Sequence, residues 1–405
     1  MKKPELLAPA GDFEKLQIAI AYGADAVYVG GKQFSLRANA KNFDLDELCE
    51  AIKYAHCHNV RVYVGVNIFA HNDDFAGLRE YLTNLRDIGA DAVIVADLGV
   101  LSVARQIEGL EIHISTQANV TNYHSVNMYK ELGARRVILA RELSLKEIRV
   151  INDRLAKSSG VFETETFIHG AMCMSYSGRC LLSNYMAARD ANKGDCAQPC
   201  RWNYNLVEEL RPGEYMPVYE DERGTYILNS KDLCMICHIP ELVAAGVSSF
   251  KIEGRMKTAY YVAAVIQVYR EALDDYFTSE SLYRSKLDYY MQELGKTSHR
   301  EFFTGFYLDK AIDGQNLTND IRNNAQDFLG MVIDYDPESR LAVIEQRNKF
   351  LVGDGVEFLK GKFTQTIEAI YNEEGAQVNS APHAQELVRV RTMQPVEKFD
   401  ILRRR

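Results

Sequence analysis

Amphipathic segments of helix length alternate with short, nearly continuous apolar runs through the first two thirds of the chain. A Gly-Ala turn precedes the apolar run at Gly23–Val27, Gly89–Val93 and Gly133–Val137, and a looser copy occurs at Gly246–Phe250. Glycine at the end of a helix takes the left-handed conformation, and the apolar run that follows suits a strand covered on both faces. The pattern therefore predicts repeated βα units.

Eight apolar runs are predicted as strands, and they are Glu5–Ala8, Ala26–Gly30, Arg61–Asn67, Ala92–Asp97, Glu111–Gln117, Arg136–Arg141, Glu165–Gly170 and Ser249–Glu253. Eight parallel units favour a closed (β/α)8 TIM-like barrel. An open doubly wound sheet is the alternative, because periodicity does not show closure. In a barrel, chemistry belongs at the carboxyl ends of the strands. The residues expected at those ends are Asn67, Asp97, Gln117, Asn119, Arg141, Glu142, His169, Glu253 and Arg255.

Two segments depart from the repeat. A cysteine-rich insertion over residues 171–248, with the single tryptophan Trp202, separates the seventh and eighth predicted strands. Long loops in compact domains are usually functional or disordered, and this composition argues against disorder. Near the C-terminus, Phe328–Tyr335 and Arg340–Gln346 alternate like a hairpin, and Gly353–Phe358 begins another strand. We therefore expect a barrel over 1–275, a helical connection over 276–325 and a small C-terminal all-β domain, a β-barrel, over 326–405.

Charge and hydropathy narrow the classes of partner. The 405 residues carry a net charge of -9, which is not the basic field of a protein that binds nucleic acid by charge alone. Any RNA contact must be local, and the terminal Arg403–Arg405 are candidates for phosphate contacts. The N-terminus lacks an apolar signal region, and no stretch reaches the roughly 20 apolar residues that cross a bilayer. We expect a cytoplasmic protein with no membrane partner, whose thiols are kept reduced.

Four of the eight cysteines form one closely spaced group, Cys173, Cys180, Cys196 and Cys200. Four thiolates from one loop system suit a soft metal centre. Structural zinc would accept them, although its usual C-x2-4-C pairs match only the last two. The alternative that these four cysteines are buried thiols without a metal fits poorly, because the residues around them are polar. The spacing favours metal ligation and leaves iron–sulfur and zinc as alternatives.

Several motifs carry a family resemblance. The segments Glu165–Cys173, Gly178–Ser183, Gly194–Trp202, Asn229–Leu233 and Lys251–Arg255, with the opening Glu5–Gly11, resemble the signature of the collagenase-like peptidase U32 family. The resemblance covers nearly the whole chain. The family name implies proteolysis, whereas the better understood members are oxygen-independent hydroxylation proteins that hold iron–sulfur clusters on cysteines.

Among the members of this family, a two-domain chain of this size is most similar to the tRNA-hydroxylating proteins. That resemblance implies a protein that forms 5-hydroxyuridine at the wobble uridine of tRNA, with prephenate as a co-substrate and a partner subunit of the same family as a further candidate. It also implies a [4Fe-4S] cluster on Cys173, Cys180, Cys196 and Cys200. In some relatives one ligand comes from elsewhere in the chain, and Cys234 is the candidate here, although it fits a core thiol better.

A peptidase is the alternative function. Proteolysis needs an activated nucleophile or a metal-bound water. The chain has no H-E-x-x-H or G-x-S-x-G motif, and its nine histidines lack metal-ligand spacing. The residues themselves therefore give no positive sign of hydrolysis.

Hydroxylation with an anionic metabolite needs cations and a base near the redox centre. A guanidinium binds the carboxylates of a small dicarboxylate in a bidentate fashion. The residues predicted to bind substrate are Arg37, Gln117, Asn119, Arg141, Arg179 and Lys251, and those predicted to be catalytic are His169, Glu253 and Arg255. Tyr176 and Trp202 could stack on an unpaired base. The alternative is that these residues have structural roles. The arginines would then form ion pairs with Glu142, Glu165 or Glu253, and His169 would be a hydrogen-bonded histidine of the core.

Overall fold

The computed structural model describes residues 2–36, 41–173, 175–176, 179–180, 182–199, 231–308 and 327–405, with short strand segments between and beyond them. The strands up to the cysteine-rich insertion are β1 (Glu5–Pro9), β2 (Ala26–Gly30), β3 (Arg61–Val66), β4 (Ala92–Val95), β5 (Ile112–Ile114), β6 (Arg136–Ile138) and β7 (Glu163–Ala171). The next are the two-residue strands β8 (Leu206–Val207), β9 (Tyr215–Met216), β10 (Glu220–Asp221), β11 (Gly224–Thr225) and β12 (Asn229–Ser230), and then β13 (Asp232–Cys234) and β14 (Ser249–Ile252).

Strands β1 to β7 and β14 form a closed parallel barrel. Each of the first seven pairs in parallel with the next, and β14 pairs in parallel with both β7 and β1. Their side chains are almost entirely buried, as expected of strands with helices outside and a packed barrel interior. The predicted (β/α)8 barrel is confirmed, and the open sheet is not formed.

Helices cover the barrel. They are α1 (Phe13–Ala21), α2 (Leu45–Cys57), α3 (Leu78–Asp87), α4 (Leu98–Ala104), α5 (Tyr123–Glu131), α6 (Leu145–Leu155), α7 (Leu182–Ala187), α8 (Ile239–Ala244), α9 (Ala259–Thr278), α10 (Glu280–Ser285) and α11 (Leu287–Gly295). Gly23, Gly89, Gly133 and Gly246 all have positive φ directly after a helix. The repeated Gly turn thus ends a helix before each of four strands, as the pattern indicated.

Several strands end earlier than predicted because the polar residues after them begin the next helix. The Asp97 side chain accepts hydrogen bonds from the backbone N–H groups of Gly99 and Val100 and so caps α4. Ser115 precedes a short 3-10 helix, Thr116–Ala118, that follows β5. The carboxyl end of each strand therefore turns directly into the loop that carries its polar side chains.

The barrel sheet has an extension that the sequence did not predict. Strand β13 lies antiparallel to β7, and a further strand, β15 (Phe302–Phe303), lies parallel to β13. A short strand β16 (Gln315–Asn316) pairs with β12. The segment after α11 thus returns to the barrel beside its seventh strand, close to the carboxyl end.

The C-terminal residues form an antiparallel β domain. Its strands are β17 (Phe328–Asp336), β18 (Leu341–Gln346), β19 (Phe350–Leu351), β20 (Gly355–Phe358), β21 (Phe363–Thr366), β22 (Ile370–Tyr371), β23 (Gln377–Val378), β24 (Ser380–Ala381), β25 (Leu387–Arg391) and β26 (Ile401–Arg404). Eight of them follow the order β21-β20-β26-β17-β18-β25-β22-β23, and β19 pairs with β24. The predicted hairpin forms between β17 and β18.

The β domain packs against α1 and α9 of the barrel. The Tyr22 hydroxyl donates to the carbonyl of Phe399 over 3.2 Å and accepts from the N–H of Ile401 over 3.1 Å. Arg403 is fully buried and binds Glu293 of α11 and Glu357 of β20 at 2.7 and 2.9 Å. The expectation that Arg403 contacts phosphate is therefore wrong, because its guanidinium is enclosed between carboxylates.

Candidate functional site

A cavity of about 340 Å³ opens at the carboxyl ends of the barrel strands. This volume is within the range of small-molecule sites. Its lining residues come from barrel strands and the loops after them and from the cysteine-rich insertion; those with polar or sulfur side chains include Asn67, Gln117, Arg141, Glu142, Cys173, Cys180, Cys196, Lys251, Glu253, Arg255 and Arg300. The end of the barrel that the fold assigns to chemistry is also where most predicted site residues converge.

Arg141, after β6, lies flat on the ring of Phe167, with its guanidinium carbon 3.8 Å from the ring centroid. One terminal nitrogen donates to the carbonyl of Ala171 over 3.0 Å, and the other is 3.7 Å from a Glu253 carboxylate oxygen. Its Nε is buried and has no hydrogen-bond partner among the described residues. Arg141 lines the cavity, and its second terminal nitrogen, the one 3.7 Å from Glu253, is the donor available to an anionic ligand.

Lys251 on β14 projects into the barrel interior. Its ammonium is 3.2 Å from Glu165 and 4.2 Å from the centroid of the Tyr28 ring. Both the lysine and Glu165 are almost fully buried. The carboxylate and the ring face thus contact the ammonium on two sides.

Arg255, after β14, reaches past the end of β1 to the loop after β2. Its guanidinium donates to the Ser35 hydroxyl over 3.0 Å and to the carbonyl of Leu36. A Cβ atom on Gly30 would lie 2.1 Å from this guanidinium, so only glycine at the end of β2 leaves room for the arginine. Arg255 is thereby held in the cavity wall by sequence-distant groups.

Two amides predicted for the site have different surroundings. Gln117 lines the cavity, and its carbonyl oxygen accepts from Asn67 Nδ2 at 2.9 Å and from Ser115 Oγ at 2.6 Å. Asn119 has a φ of 54° and ends the short helix after β5, with its Oδ1 buried and without a partner among the described residues. Asn119 is not among the residues that line the cavity.

Arg179 lies beside the cavity without lining it. Its Nε donates to the backbone carbonyl of Gln117 over 2.9 Å, and its guanidinium lies 4.8 Å from the ring centroid of Phe69. The insertion is thus tied to the loops after β3 and β5. Arg37, Cys200 and Trp202, also predicted for the site or its surroundings, lie outside the described residues.

Three thiols of the predicted cluster, those of Cys173, Cys180 and Cys196, line the same cavity. The Cys180 sulfur accepts a hydrogen bond from the Leu182 N–H at 3.3 Å, and the Cys196 sulfur accepts from the Gln198 N–H at 3.4 Å. Hydrogen bonds from backbone N–H groups to sulfur stabilise a thiolate and help set the reduction potential of a metal centre attached to it. Two sulfurs are therefore already in the kind of environment that metal-bound thiolates have.

The same thiols are not brought to ligating distance of one another. Within the part of the chain that the structure describes, no three His, Cys, Asp or Glu side chains come together as a metal site. The chemistry of the donor set, three thiols around one cavity with N–H···S bonds, nevertheless fits a soft metal centre. Cys234 is separate: it is buried in β13, and burial raises the pKa of its thiol to about 12.

His169 does not line the cavity. It lies in β7 among the rings of Tyr261, Tyr269 and Phe302, with its Nδ1 3.3 Å from the Tyr269 hydroxyl. Complete burial lowers the pKa of its imidazole to about 3, so the ring is neutral at pH 7. The surroundings are those of a packed core histidine.

Arg300 is a cavity residue that sequence reasoning missed. It follows α11 and precedes β15, and it lies near Asp232 of β13, with 3.9 Å between a guanidinium nitrogen and the carboxylate. No motif marks it, because it reaches the cavity only through the sheet extension of β13 and β15. Of the helices that the structure describes, none is both long and apolar enough to span a bilayer.

Comparison with known proteins identifies the family. The family model for peptidase family U32 matches residues 11–316, and the model for the U32 C-terminal domain matches residues 324–403. A relative from Bacillus subtilis named "tRNA hydroxylation protein P1" is 40% identical over 408 residues, which cover 100% of this chain and 95% of the relative.

Two other relatives bear different names. An uncharacterized protease of Methanocaldococcus jannaschii is 43% identical over 370 residues, covering 90% of this chain and 89% of the relative. A 23S rRNA 5-hydroxycytidine synthase of Escherichia coli is 38% identical over 270 residues, covering 67% of this chain and 39% of the relative. With two family models that together match most of its length, the chain belongs to peptidase family U32.

Proposed function

We propose that this protein is an enzyme that hydroxylates tRNA, forming 5-hydroxyuridine at the wobble uridine. The observation that carries the proposal is that one cavity gathers the thiols of Cys173, Cys180 and Cys196 with the guanidinium groups of Arg141 and Arg255. A redox centre and an anion site at the end of one barrel are what a metabolite-dependent hydroxylation needs. The near full-length relative named for tRNA hydroxylation supports tRNA as the substrate, and the rRNA relative supports C5 of a pyrimidine as the position.

Cys173, Cys180 and Cys196 are the described residues that would hold an iron–sulfur cluster in this proposal, with Cys200 as the fourth ligand. Bound there, a [4Fe-4S] cluster would supply one-electron redox chemistry, which makes a reaction without dioxygen feasible. The N–H groups of Leu182 and Gln198 would stabilise the negative charge on two of the sulfurs.

We further propose that the cationic side of the cavity binds a small dicarboxylate such as prephenate. Arg141 lines the cavity and offers a terminal N–H to one carboxylate, and its guanidinium is held against the Phe167 ring. Arg255, held by Ser35 and Leu36, presents a second planar donor across the cavity. Two fixed guanidinium groups on one cavity match a ligand with two carboxylates.

Within this site we assign proton uptake from the base to the carboxylate of Glu253. Glu253 lines the cavity, and one of its carboxylate oxygens is 3.7 Å from Arg141. The amide of Gln117 is oriented by the hydrogen bonds from Asn67 and Ser115 and can bind a carbonyl of the base. His169 has no part in the proposal, because its imidazole is enclosed by aromatic rings.

A peptidase remains the second candidate, because of the family name and the archaeal relative named as a protease. Among the described residues that line the cavity there is no histidine to activate a nucleophile. The cavity therefore offers less to peptide hydrolysis than to hydroxylation.

The deciding experiment is mass spectrometry of the nucleosides of total tRNA from cells with and without the gene. We expect 5-hydroxyuridine and its derivatives to disappear on deletion and to return with the wild-type gene. A gene carrying Arg141→Gln should restore little of the modification, since the anion site is lost. Unchanged nucleosides in the deletion strain, together with peptide cleavage by the pure protein, would support the peptidase.

A further inference from the structure

We propose that the outer face of α5 and α6 is the surface that binds the phosphates of the tRNA. The inference rests on the proposed function and adds where the RNA lies. We call this surface the α5–α6 basic face, and it is formed by Lys130, Arg135, Lys146, Arg149, Arg154 and Lys157.

The cations of this face are not neutralised by carboxylates. None of the six forms an ion pair with any described residue: Lys130 donates to the hydroxyl of Ser158, and Arg135 donates to the carbonyl of Val161. Their charges therefore remain available for anions from solution.

The cations of α9 to α11 show the opposite arrangement. Arg270 pairs with Asp25 and Asp274, Arg284 pairs with Glu280, and Lys286 pairs with Glu271 and Asp275. Two helical surfaces of one acidic protein thus differ in whether their positive charges are already compensated. Only the surface with uncompensated charge is suited to a polyanion.

The carboxylates of the α5–α6 basic face are few and are occupied locally. Glu147 accepts hydrogen bonds from the backbone N–H and the hydroxyl of Ser144 in a capping box, and Glu131 accepts from Asn127 at 2.6 Å. Asp153 is the third. A fourth, Glu111, lies within electrostatic range of Arg135. Six cations against four carboxylates still leave this face positive in a chain whose net charge is -9.

Aromatic and apolar groups are interspersed among the cations. The Arg154 guanidinium lies 5.4 Å from the ring centroid of Tyr123, and the ring of His124 lies against Tyr123. Met128 and Val150 are about half exposed on the same two helices. Exposed rings and methyl groups between cations are found where ribose and unpaired bases are contacted.

The α5–α6 basic face begins close enough to the cavity for one RNA molecule to contact both. Helix α6 begins at Leu145, four residues after Arg141 in the cavity wall, and Lys146 to Arg154 span about 12 Å along its axis. Tyr176, 55% exposed in the insertion, lies between the two: the charges of Glu142 and Glu147 add to burial in raising the pKa of its hydroxyl. An RNA strand along α6 would therefore bring a base to the cavity mouth.

The test measures tRNA binding by the full-length protein as a function of salt, using an unmodified tRNA transcript. The variant Lys146→Glu/Arg149→Glu removes two exposed cations of the face, and Arg154→Glu/Lys157→Glu removes two others. The control Lys53→Glu/Lys349→Glu makes the same change in net charge at exposed cations on α2 and in the β domain. We expect each face variant to bind at least 10-fold more weakly at physiological salt. We also expect the slope of log K against log[salt] to fall by about 1 to 2, while the control changes little.

Equal weakening in the control, or wild-type affinity in both face variants, would overturn the inference while leaving tRNA hydroxylation intact. Face variants that keep their tRNA affinity but lose a co-purifying protein would show that the face binds a protein instead. Complementation of the deletion strain distinguishes these outcomes from failure of the proposed function: if even the wild-type gene restores no tRNA modification, the function itself is wrong.

Discussion

At the scale of single residues, the cations of the cavity differ in how much charge they offer. Glu165 binds Lys251 through one carboxylate oxygen at 3.2 Å and Arg136 through the other at 3.0 Å, and all three are buried. The ammonium of Lys251 is thus already compensated within the barrel. Arg141 lies farther from its carboxylate, with 3.7 Å to a Glu253 oxygen, and so has more of its charge to offer a ligand.

His169 gives a prediction for stability against pH. Because burial lowers the pKa of its imidazole to about 3, the unfolded chain binds a proton below about pH 6.5 that the folded protein does not. The free energy of unfolding must then fall as the pH drops from 6.5 toward 3. When the pH falls from 7 to 5.5, we expect the free energy of unfolding of His169→Phe to decrease by roughly 1.3 kcal/mol less than that of the wild type. Urea unfolding at the two pH values measures this difference.

The exposed His124 provides the matched control, and His124→Phe should retain the acid sensitivity of the wild type. We also expect His169→Phe to retain tRNA hydroxylation, since the ring does not line the cavity. Equal acid sensitivity in wild type and His169→Phe would contradict the assignment of a neutral buried imidazole.

The cysteines give a prediction for metal content. Changing Cys173, Cys180 or Cys196 to alanine removes a thiol from the cavity wall, so each variant should lose the iron and the brown colour of anaerobically purified protein. Cys57→Ala is the control, because Cys57 is an exposed thiol at the end of α2, away from the other cysteines in sequence. Colourless wild-type protein with one equivalent of zinc would refute the cluster.

At the scale of elements, β7 shows what sequence patterning could and could not predict. The apolar runs predicted where the strands end. Arg141, Lys251 and Glu253 accordingly lie at the carboxyl end of the barrel, as predicted. Alternation would also put His169 on the same face as Phe167, which lines the cavity. The register between β7 and β14 shifts at this point, where Phe167 is opposite Lys251 and His169 is opposite Ile252. One extra residue in β7 turns His169 outward, and such a bulge leaves no mark in hydropathy.

The end of β7 supplies a second test. Gly170 has a φ of 109°, and a Cβ atom there would lie 2.3 Å from the Glu253 carbonyl oxygen. Gly133 has a similar φ of 96° with open space around it. Gly133→Ala should cost only the backbone strain, about 1 to 3 kcal/mol. Gly170→Ala should cost about 1 to 3 kcal/mol more from overpacking and should lower hydroxylation by displacing Glu253. Urea unfolding of both variants, with the modification assay, measures the difference; equal costs would mean that the contact with Glu253 relaxes freely.

At the scale of the whole molecule, the barrel and the β domain share a buried interface. Met331, Leu359, Phe399 and Ile401 of the β domain belong to the same apolar core as the barrel. The sequence indicated two kinds of structure but not their contact, because Phe399, which accepts from Tyr22, and Glu293, which binds Arg403, are each more than a hundred residues from their partners along the chain. Long-range partners of single polar residues follow from the fold and not from local pattern.

Arg403 tests this interface. Its guanidinium bridges Glu293 of α11 and Glu357 of β20 without exposure to solvent, so Arg403→Gln leaves two carboxylates poorly compensated. We expect the free energy of unfolding to fall by about 3 to 5 kcal/mol. We also expect a calorimetric trace in which the two domains unfold separately. Arg404→Gln is the control, because Arg404 is partly exposed and binds Asp327 and Asp354, so it should cost less than about 1 kcal/mol. A single unshifted transition for Arg403→Gln would show that the interface depends on its apolar contacts alone.

The pairing of β14 with β1 also sets an order of events during synthesis. Leu6 of the first strand pairs with Phe250 of the last, so the barrel stays open until nearly two thirds of the chain has been made. Such distant pairing is slow to form. Cys173, Cys180 and Cys196 are translated before the closing strand, and Arg255 is translated after it. The nascent chain therefore passes through a stage in which these three cysteines have been made while Arg255, which completes the proposed anion site, has not.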